Sequence, residues 1–567
     1  MGEKISPKTD LIVAAFLMAI SLSAATSGRI IYVDANALGA NSGASWADAY
    51  KYLQDALADA NSPAKPVEIR VAQGIYTPHS TSDDPNGSGD RKATFQLISG
   101  VTIKGGYAGF GKPDPNSRDI EAYQTILSGD LNGNDINVND PYHLFLHPNR
   151  AENSYHVVTA CGTDATAVIN GFRITGGNAD KYPDNYGGGM YISSGDATVT
   201  ECTLTGNSAQ NGGGGIYIGE ASELIIRHCT ITHNCSLWAG GGIGFDGPTL
   251  IISNCTIAAN FASLLGGGIF CRTGDLIISN CTVRANRTDV EGNGGGINGG
   301  RSGVIYNCRI IDNHAGCRGG GVDYGGCVAN CVISGNSALN GGGLNTCRYI
   351  LNCSIVGNSA YAGAATYCCP AVANCIIWEN RAQELGEVAL SGLIYCCLRG
   401  AKPEQGNIEA DPCFADTGCW DPNGTLADAN DDFWIDGDYH LLSGSPCIDA
   451  GDNSRVPTDA SDLDGDANTS EPTPVDLNGH PRFVDGDCNS TEIVDMGAYE
   501  FGYAYIGFDG DCDVDFSDFA VLTRSWLIDP GAPEWNLACD ISTPADNSID
   551  MLDLHEFVNS WLAYIEH

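Results

Sequence analysis

A short phrase that recurs at nearly constant spacing dominates this sequence. A Gly-Gly-Gly triplet ends at Gly189, Gly215, Gly242, Gly268, Gly296, Gly321 and Gly343, and a degenerate copy ends at Ala365. A cysteine recurs every 22 to 27 residues, at Cys202, Cys229, Cys255, Cys281, Cys308, Cys331, Cys353, Cys375 and Cys397. An asparagine lies five residues after each of the first eight, at Asn207, Asn234, Asn260, Asn286, Asn313, Asn336, Asn358 and Asn380. This period predicts a solenoid in which each repeat stacks only on its neighbours.

The composition of each repeat indicates which type of solenoid to expect. Each repeat carries two short β-branched runs broken by Gly and Asn, and no apolar stripe of helical period. We therefore expect a β-solenoid whose coils add strands to parallel sheets, with equivalent residues about 4.8 Å apart. In such a stack the asparagines form a ladder at one turn, the cysteines form an inward apolar row, and the glycines form a tight corner. Metal chemistry is a poorer interpretation of the cysteines, because one per coil builds no tetrahedral cluster.

The beginning of the chain predicts export. Lys4 and Lys8 precede an apolar run at residues 11–22 that is short for a membrane span, so residues 1–27 are interpreted as a secretory signal peptide. The 24 cysteines of the chain fit an oxidising compartment. We expect a secreted or cell-surface protein with no transmembrane segment after signal removal; an N-terminal anchor that is retained stays open as the alternative.

Charge is distributed very unevenly along the chain. The formal net charge is −41, yet residues 187–400 hold 10 Lys+Arg against 13 Asp+Glu, whereas residues 401–567 hold 4 against 36. A surface this acidic repels phosphate backbones, which excludes nucleic acid as an expected partner. The C-terminal part either keeps the protein soluble by self-repulsion or binds cations.

The region before the repeats predicts the start of the solenoid and a cap for it. Strands are expected at residues 30–34, 68–72, 101–104, 125–127 and 156–159, and an amphipathic helix at residues 46–59 with Trp46, Tyr50, Leu53 and Leu57 on one stripe. A bare solenoid end would template edge-to-edge association, so this helix is expected to cap it. Phe172 stands where later coils have the cysteine, which predicts an early coil there.

These phrases resemble two groups of known proteins. The layout resembles secreted right-handed parallel β-helix proteins of the pectate-lyase-like superfold, and the Gly-Gly-Gly-Ile and Asn phrases are similar to the repeats of polymorphic outer-membrane proteins. The resemblance covers about residues 30–400 and implies an all-β, right-handed parallel β-helix over residues 28–406. It implies no particular chemistry, because that superfold includes enzymes, adhesins and inert rods.

The period is lost after residue 406. The phrases Ser445-Pro-Cys-Ile-Asp-Ala-Gly and Val494-Asp-Met-Gly-Ala-Tyr-Glu-Phe resemble the choice-of-anchor module that follows such β-helices in bacterial surface proteins. The resemblance implies a second cap at residues 407–504. Cys413 with Cys419, and Cys447 with Cys488, are plausible disulfide partners, although connectivity cannot be fixed from sequence.

Residues 505–567 contain a second, shorter repeat. Asp515, Asp518 and Trp526 recur 35 residues later as Asp550, Asp553 and Trp561. Each copy spaces its side-chain oxygens as an EF-hand-type calcium loop does, and a hydrophobic helix follows the first at residues 519–527. The predicted Ca²⁺ ligands are Asp509, Asp511, Asp513, Asp515 and Asp518 in the first copy, and Asp540, Ser542, Asp546, Asp550 and Asp553 in the second.

Two such loops, each followed by one helix, resemble a dockerin, which implies a small α-helical EF-hand-like module and a cohesin-like protein partner. Gly507 and Cys512 depart from the family's pattern, where an Asp and a Gly are usual. Whether Cys512 pairs with Cys539 is open. The alternative, a merely solvated acidic tail, does not account for the matched tryptophans.

The strand after each glycine triplet predicts an outward row of side chains. Its first residue is apolar and expected to point inward, so the next should point outward: Tyr191, Tyr217, Gly244, Phe270, Asn298, Asp323, Asn345 and Tyr367. Aromatic rings suit the apolar faces of sugars, and Asp246 and Arg272 lie close by in sequence. We expect glycan binding at Tyr191, Tyr217, Phe270, Tyr367, Asp246 and Arg272; the alternative is that long turns cover the rings as a satellite core.

Catalytic residues are poorly indicated. A glycosidase needs two carboxyl groups at one bond, and a lyase needs clustered acids with a basic residue. The nearest candidates in the coils are Asp312, Asp323 and Arg318. The sequence therefore favours a glycan-binding or adhesive rod; the alternatives are a lyase or hydrolase acting on acidic polysaccharide, and a purely structural spacer.

Overall fold

The structure is a computed structural model that describes residues 28–62, 64–219, 223–300, 302–421, 433–459, 463, 468–486, 489, 491–502, 508, 516–528, 539, 541, 548–555 and 557–558. Among them the chain winds as a parallel β-solenoid with few helices. Each full coil contributes four short strands, which we number row 1 to row 4 in chain order, starting after the glycine triplet. The predicted signal peptide lies outside the described residues.

Rows 1 and 2 form the longest ladders of the solenoid. Row 1 contains Phe95–Gln96, Val158–Cys161, Met190–Ser193, Ile216–Ile218, Ile297–Gly299, Val322–Asp323, Leu344–Asn345, Thr366–Tyr367 and Val388–Ala389. Row 2 contains Arg29–Val33, Val67–Ala72, Val101–Tyr107, Val168–Asn170, Ala197–Thr200, Glu223–Arg227, Val304–Tyr306, Cys327–Ala329 and Tyr349–Leu351. Two 11-residue strands, Ile243–Ser253 and Ile269–Ser279, run through both rows. Ala371–Trp378 and Leu393–Leu398 run from row 2 into row 3.

Rows 3 and 4 complete each coil. Row 3 contains Gly74–Tyr76, Thr125–Ser128, Arg173–Thr175, Thr203–Thr205, Thr230–Thr232, Thr256–Ala258, Thr282–Arg284, Arg309–Ile311, Val332–Ser334 and Ser354–Val356. Row 4 contains Asn178–Ala179, Ser208–Ala209, Cys235–Ser236, Phe261–Ala262, Arg287–Thr288, Ser337–Asn340, Ser359–Ala362 and Arg381–Glu384. Bridges from His314 to Arg287 and Ser337 join the two parts of row 4. Neighbouring coils pair in parallel register, as Thr256 does with Thr230 and Thr282, so the predicted β-solenoid is confirmed.

The asparagine ladder lies at the turn between rows 3 and 4. The Asn260 amide donates to Asn286 Oδ1 at 2.9 Å and to the Ile231 carbonyl at 2.8 Å. Its Oδ1 accepts from the backbone N–H of Asn234 at 3.0 Å. The amide-to-amide contact repeats from Asn207 to Asn380 at 2.9–3.1 Å. The predicted ladder is confirmed, and burying these amides costs little because each has partners above and below it.

The cysteine row lies inside the solenoid, as predicted, and its thiols are buried. The Cys255 backbone N–H donates to Cys281 Sγ at 3.3 Å, and the Cys281 thiol donates to the Ser279 carbonyl at 3.1 Å. Because these thiols are buried and out of reach of solvent, packing is favoured over redox chemistry.

The last member of the cysteine row differs from the prediction. Cys375 pairs in register with Cys396, and Cys397 pairs with Ile376. Successive residues of a strand face opposite sides, so a one-residue change of register turns Cys397 out of the row, toward Cys447 in a separate apolar cluster. Among the described cysteines every thiol is free, including Cys413 and Cys419, which were expected to pair; Cys488 and Cys512 lie outside the described residues.

Each glycine of a triplet is required for a different reason, as the copy at Gly240, Gly241 and Gly242 illustrates. Gly240 has φ +63°, in the left-handed region that favours glycine. A Cβ on Gly241 would lie 2.5 Å from the Gly267 carbonyl oxygen of the next coil, and one on Gly242 would lie 2.7 Å from the Gly268 oxygen. In this copy, the corner between rows 4 and 1 therefore has no room for a larger side chain.

The N-terminal helix spans Leu53–Ala60 and is shorter than predicted. Leu53, Leu57 and Ala60 are buried in the same core as the interior of the rod. The helix begins late because Tyr50 is held in an extended conformation by the first strand: its backbone N–H donates to the Tyr32 carbonyl at 2.9 Å. Tertiary pairing has overridden a helical sequence pattern here.

The described residues between 413 and 501 pack on the side of the rod, in the segment that the sequence predicts to be a second cap. Two antiparallel pairs, Phe414–Asp416 with Asp438–Leu441 and Cys419–Asp421 with Phe433–Ile435, begin this segment. Trp434 lies against Gly335 and Gly357 beside row 3. Arg309 forms an ion pair with Asp436 at 3.0 Å, and Ser354 Oγ accepts from the Ala498 N–H at 3.1 Å. Among the described residues, short 3₁₀ helices span Pro141–Leu146, Pro148–Arg150, Glu404–Gly406 and Asn453–Arg455.

Candidate functional site

Row 1 carries a cluster of aromatic rings where the glycine triplets begin. Tyr191 and Tyr217 pair in register, and their rings stack with centroids 6.0 Å apart and an interplanar angle of 8°. His156 stacks on Tyr191 at 4.9 Å, and Tyr186 lies 4.4 Å from Tyr217. All four side chains are half-buried. We call these four residues the aromatic site.

An ion pair borders the aromatic site. The two 11-residue strands carry Asp246 and Arg272, whose Oδ2 and Nη1 atoms are 3.1 Å apart, and Thr273 Oγ1 donates to Asp246 Oδ1 at 2.9 Å. Gly244 lies between Tyr217 and Phe270 in row 1. A Cβ on Gly244 would lie 3.2 Å from the Tyr217 ring, so the missing side chain leaves that ring face uncovered by the next coil.

The structure therefore brings five of the six predicted glycan-binding residues to one face: Tyr191, Tyr217, Phe270, Asp246 and Arg272. Phe270 meets Trp238 edge-on at 5.9 Å. The rings are half-buried, which agrees in part with the alternative that long turns cover them as a satellite core. However, 60% of the Arg272 side chain remains exposed. A ligand approaching this face meets flat apolar rings and a charged pair together.

Burial sets the protonation of the two polar rings. It is the main cause that raises the pKa of Tyr217, with a further contribution from the Asp246 carboxylate. Burial also lowers the pKa of His156. His156 Nδ1 lies 3.0 Å from the Gly187 carbonyl and therefore carries the proton of the neutral ring, while Nε2 lies 4.0 Å from Asp184. At neutral pH the site thus offers a neutral imidazole and a neutral phenol.

Tyr367 is separated from the aromatic site by three buried polar residues of row 1. The sequence predicts that Asn298, Asp323 and Asn345 point outward, but their exposures are 6%, 0% and 2%. The amides of Asn298 and Asn345 donate to Asp323 Oδ2 and Oδ1 at 2.9 and 2.5 Å. The row 1 strand ends directly after Asp323, since Tyr324 has φ +62°, and the hydrogen bonds to the Asp323 carboxylate hold the three side chains inside.

The three catalytic candidates do not form a pocket. Asp312 and Arg318 are exposed, whereas Asp323 is entirely buried against Asn298 and Asn345. Asp312 lies at the turn between rows 3 and 4, and Arg318 lies at the corner between rows 4 and 1. The structure therefore does not bring these three candidates together at one site.

Sequence reasoning missed His156, Tyr186 and Trp238. Tyr186 immediately precedes a glycine triplet, and Trp238 stands two residues before another. These positions flank the corner between rows 4 and 1, so their side chains reach row 1 from the coil's other side. Attention to aromatic residues just before the triplets would have found two of the three.

Three of the ten predicted calcium ligands are among the described residues. They lie in or beside helices that pack around a small apolar cluster. An α-helix spans Phe516–Ser525, and residues 551–555 and 557–558 are also helical. Leu522, Cys539, Ile549 and Phe557 form one buried cluster that joins the two copies of the repeat. Asp518, Asp550 and Asp553 are the described ligands; Asp509, Asp511, Asp513, Asp515, Asp540, Ser542 and Asp546 lie outside the described residues.

The described acids of this tail fit a hard cation in their chemistry. Asp518 and Asp553 are fully buried carboxylates, and buried carboxylates are stable when charged partners or donors surround them. Asp553 accepts from the N–H groups of Ile541 and Asp550 at 2.7 and 2.8 Å, and Asp550 accepts from the Leu552 N–H at 2.8 Å. Within the described residues alone, no three acidic, histidine or cysteine side chains gather into a metal site.

Comparisons with known proteins agree with the fold. A family model described as the right handed beta helix region matches residues 136–338, and the rod is a right-handed β-helix. A crystal structure of pectate lyase Pel9A is 13% identical, with 84% of this chain and 98% of that chain covered and a TM-score of 0.41. A complex structure of XylC with xylose is 12% identical, with coverages of 68% and 87% and a TM-score of 0.31. No curated protein matches the chain. Over the described residues, none of the helices has the length and apolar character needed to cross a membrane.

Proposed function

We propose that this protein is a glycan-binding β-helix rod, secreted or displayed at the cell surface, whose C-terminal tail attaches it to a partner. The aromatic site beside the Asp246–Arg272 ion pair is the observation that carries the proposal. The face of Tyr217 on the Gly244 side offers apolar surface to the C–H face of a sugar ring, as aromatic side chains do in ligand pockets generally. The ion pair supplies a donor and an acceptor for hydroxyl groups.

Binding of oligosaccharides to the full chain tests this proposal. Tyr217→Ala should weaken retention of the bound glycan about tenfold, because one stacked ring contributes about 1–1.5 kcal/mol beyond its area. Tyr182→Ala is the control, since that tyrosine is 83% exposed and lies outside the four stacked rings. No retention of any glycan across a broad panel would leave only the structural spacer.

Eliminative cleavage of an acidic polysaccharide is the second candidate, and one observation favours it. His156 is a neutral imidazole whose Nε2 is free of the Gly187 hydrogen bond, which suits a base that removes a proton beside a carboxylate. Incubation with polygalacturonate or alginate, followed by ultraviolet absorbance of unsaturated uronate, tests it. Activity that disappears in His156→Ala would make the protein a lyase, and absence of product with retained binding would exclude this candidate.

We further propose that the C-terminal tail binds Ca²⁺ and docks a cohesin-like protein. The duplicated oxygen spacing and the shared core of Leu522, Ile549 and Phe557 support it. Bound calcium would neutralise carboxylates such as Asp518 and Asp553 and hold the loops closed.

Calorimetric titration of the full chain with CaCl₂ tests the tail. Asp515→Ala and Asp550→Ala should each remove about one equivalent of bound Ca²⁺. Asp550→Ser is the matched control for helix capping, because Ser keeps an acceptor for the Leu552 N–H and loses the charge. Unchanged Ca²⁺ uptake in both alanine variants would show that the acidic tail is only solvated.

A further inference from the structure

A groove of about 800 Å³ runs along row 4, on a different face from the aromatic site. Its floor is formed by the residues that directly follow successive ladder asparagines. These residues pair in register from coil to coil, and they are Arg287, His314, Ser337 and Ser359. Gln383 borders it further along. One wall is an apolar stripe of Val290, Leu339 and Tyr361, which are 79%, 48% and 41% exposed. A stripe of this kind on a soluble surface marks an interaction site.

A segment of the chain itself already covers the beginning of row 4. The 3₁₀ helix Pro141–Leu146 lies there, with Leu144 buried against Cys235 and Phe261. This cover ends at Tyr142, whose ring meets Phe261 edge-on at 5.3 Å, and at Asp140, which pairs with Arg287. The groove begins where the cover stops, so a ligand would continue the row that the chain covers up to that point.

The charges of the groove favour a neutral ligand. Arg287 is already paired with Asp140, and burial together with the Arg287 charge lowers the pKa of His314, which leaves that ring neutral. Asp289 lines the groove, and Glu384 bonds to Tyr361. Every cation of the described lining is balanced by a carboxylate. A negatively charged uronate chain therefore gains no affinity from ion pairing in this groove.

The remaining groups suit sugar hydroxyls and ring faces. Ser337 Oγ lies 2.8 Å from His314 Nδ1, and Ser359 follows one coil later. The hydroxyl of Thr288, which lines the groove and is 3% exposed, has no hydrogen-bond partner among the described residues. Tyr142 and Tyr361 present rings at the two ends of the lining. A face of this sort alternates polar floor and apolar wall, as small-molecule sites do.

We propose that this row 4 groove binds a single extended chain of a neutral polysaccharide, lying parallel to the axis of the rod. Successive floor residues are about 4.8 Å apart, which is comparable to the length of one pyranose unit in an extended chain. From Arg287 to Ser359 the row spans three such steps, about 14 Å. Each sugar therefore meets one coil. A peptide strand fits less well, because the floor offers side chains and its strands are already paired on both sides.

Binding of β-1,4-linked xylo-, cello- and manno-oligosaccharides of two to six units to the full chain tests the groove. Affinity should rise with length and level off at about four units, where the floor ends. Tyr361→Ala should weaken the tetrasaccharide at least tenfold, and Ser337→Ala about threefold. Ser359→Trp, which fills the floor, should abolish binding, with circular dichroism and thermal melting as checks that each variant is folded.

Matched variants separate this groove from the aromatic site. Tyr217→Ala should leave binding of the neutral tetrasaccharide in the groove unchanged. If Tyr217→Ala instead loses that binding and Tyr361→Ala keeps it, the inference about the groove is overturned, whereas the proposed function is supported. Tighter binding of hexagalacturonate than of the neutral chains, or displacement of the sugar by extended peptides, would also overturn it. If glycans bind in the groove and Tyr217→Ala weakens the binding of none of them, the aromatic site is refuted and the groove is retained.

Discussion

The two halves of the rod use one repeat in two ways. From residue 202 to residue 308 the cysteines are 26 or 27 residues apart, and after residue 331 they are 22 apart. The longer coils extend rows 1 and 2 and present Tyr191, Tyr217 and Phe270 at the surface. The shorter coils turn directly after Asp323 and Asn345 and keep those side chains inside. Asn298 is nevertheless buried in a coil of the longer kind and Tyr367 is only half-buried in a shorter one, so coil length and the side chain together decide whether this position lies at the surface or in the interior.

The halves also differ in what covers them. In the second half, described residues between 413 and 501 contact row 3 and the turn after it, as Asp436 does with Arg309 and Trp434 with Gly357. The asparagine ladder is common to both halves and continues without interruption from Asn207 to Asn380. Shared interior residues therefore specify the coil, whereas the surface depends on local length and on the side chain at each position.

Removal of a ladder asparagine is expected to have the largest effect, and an equal one in each half. Asn260→Ala and Asn336→Ala should each lower the free energy of unfolding by about 4 kcal/mol, because neighbouring N–H and C=O groups stay buried without partners. Urea unfolding followed by circular dichroism measures it, with Asn211→Ala outside the ladder as the control. A markedly smaller loss in one half would show that the ladder is not a common element.

The free energy of unfolding should fall as the pH rises, because of a buried carboxyl group in the segment that covers the second half. Burial raises the pKa of Asp495 to about 7, above the value near 3.8 of the unfolded chain. The folded state therefore holds more protons between pH 4 and pH 7, so stability is lost over that window, by about 1.4 kcal/mol per unit and about 4 kcal/mol in all.

Trp434 fluorescence during urea unfolding reports on this segment. The difference between the wild-type protein and Asp495→Asn should shrink as the pH falls from 7 to 4, because the protonated carboxyl resembles the amide. A constant difference across that range would contradict the assignment of the pH effect to Asp495.

Equivalent positions of row 1 should respond differently in the two halves. Asp323→Ala leaves the Asn298 and Asn345 amides without their buried acceptor and should cost about 2–3 kcal/mol. Phe270→Ala, at the same position of a longer coil, is half-exposed and should cost about 1 kcal/mol. Thermal melting of the two variants side by side gives the comparison; equal losses would mean that the buried Asp323 carboxylate contributes no more to stability than the half-exposed Phe270 ring.

The smallest effect is expected at the cysteine row. Cys281→Ala should cost about 1 kcal/mol, since it removes one small buried side chain whose space the core fills in part. Addition of dithiothreitol should leave the melting temperature of the wild-type protein unchanged, because the described thiols are free. A large drop on reduction would show that bridges form among them.

The repeat alone allowed the sequence to predict the parallel solenoid, the asparagine ladder and the inward cysteines. The reason is that stacking in register forces each residue onto its copy in the next coil, so a residue type that recurs must suit the same environment each time. Where the residue type changes from coil to coil, as at Tyr217, Gly244, Phe270, Asn298 and Asp323, the period predicts the position but not the burial.

Tertiary structure alone decided what lies over the rod and what remains open. Contacts between distant segments place Trp434 beside row 3, hold Tyr50 in an extended conformation, bring His156 and Tyr186 onto Tyr191 and Tyr217, and end the cover of row 4 at Tyr142. None of these contacts repeats with the coil period, so no spacing in the sequence could reveal them. The interior follows from local periodicity, whereas the surfaces depend on non-local packing.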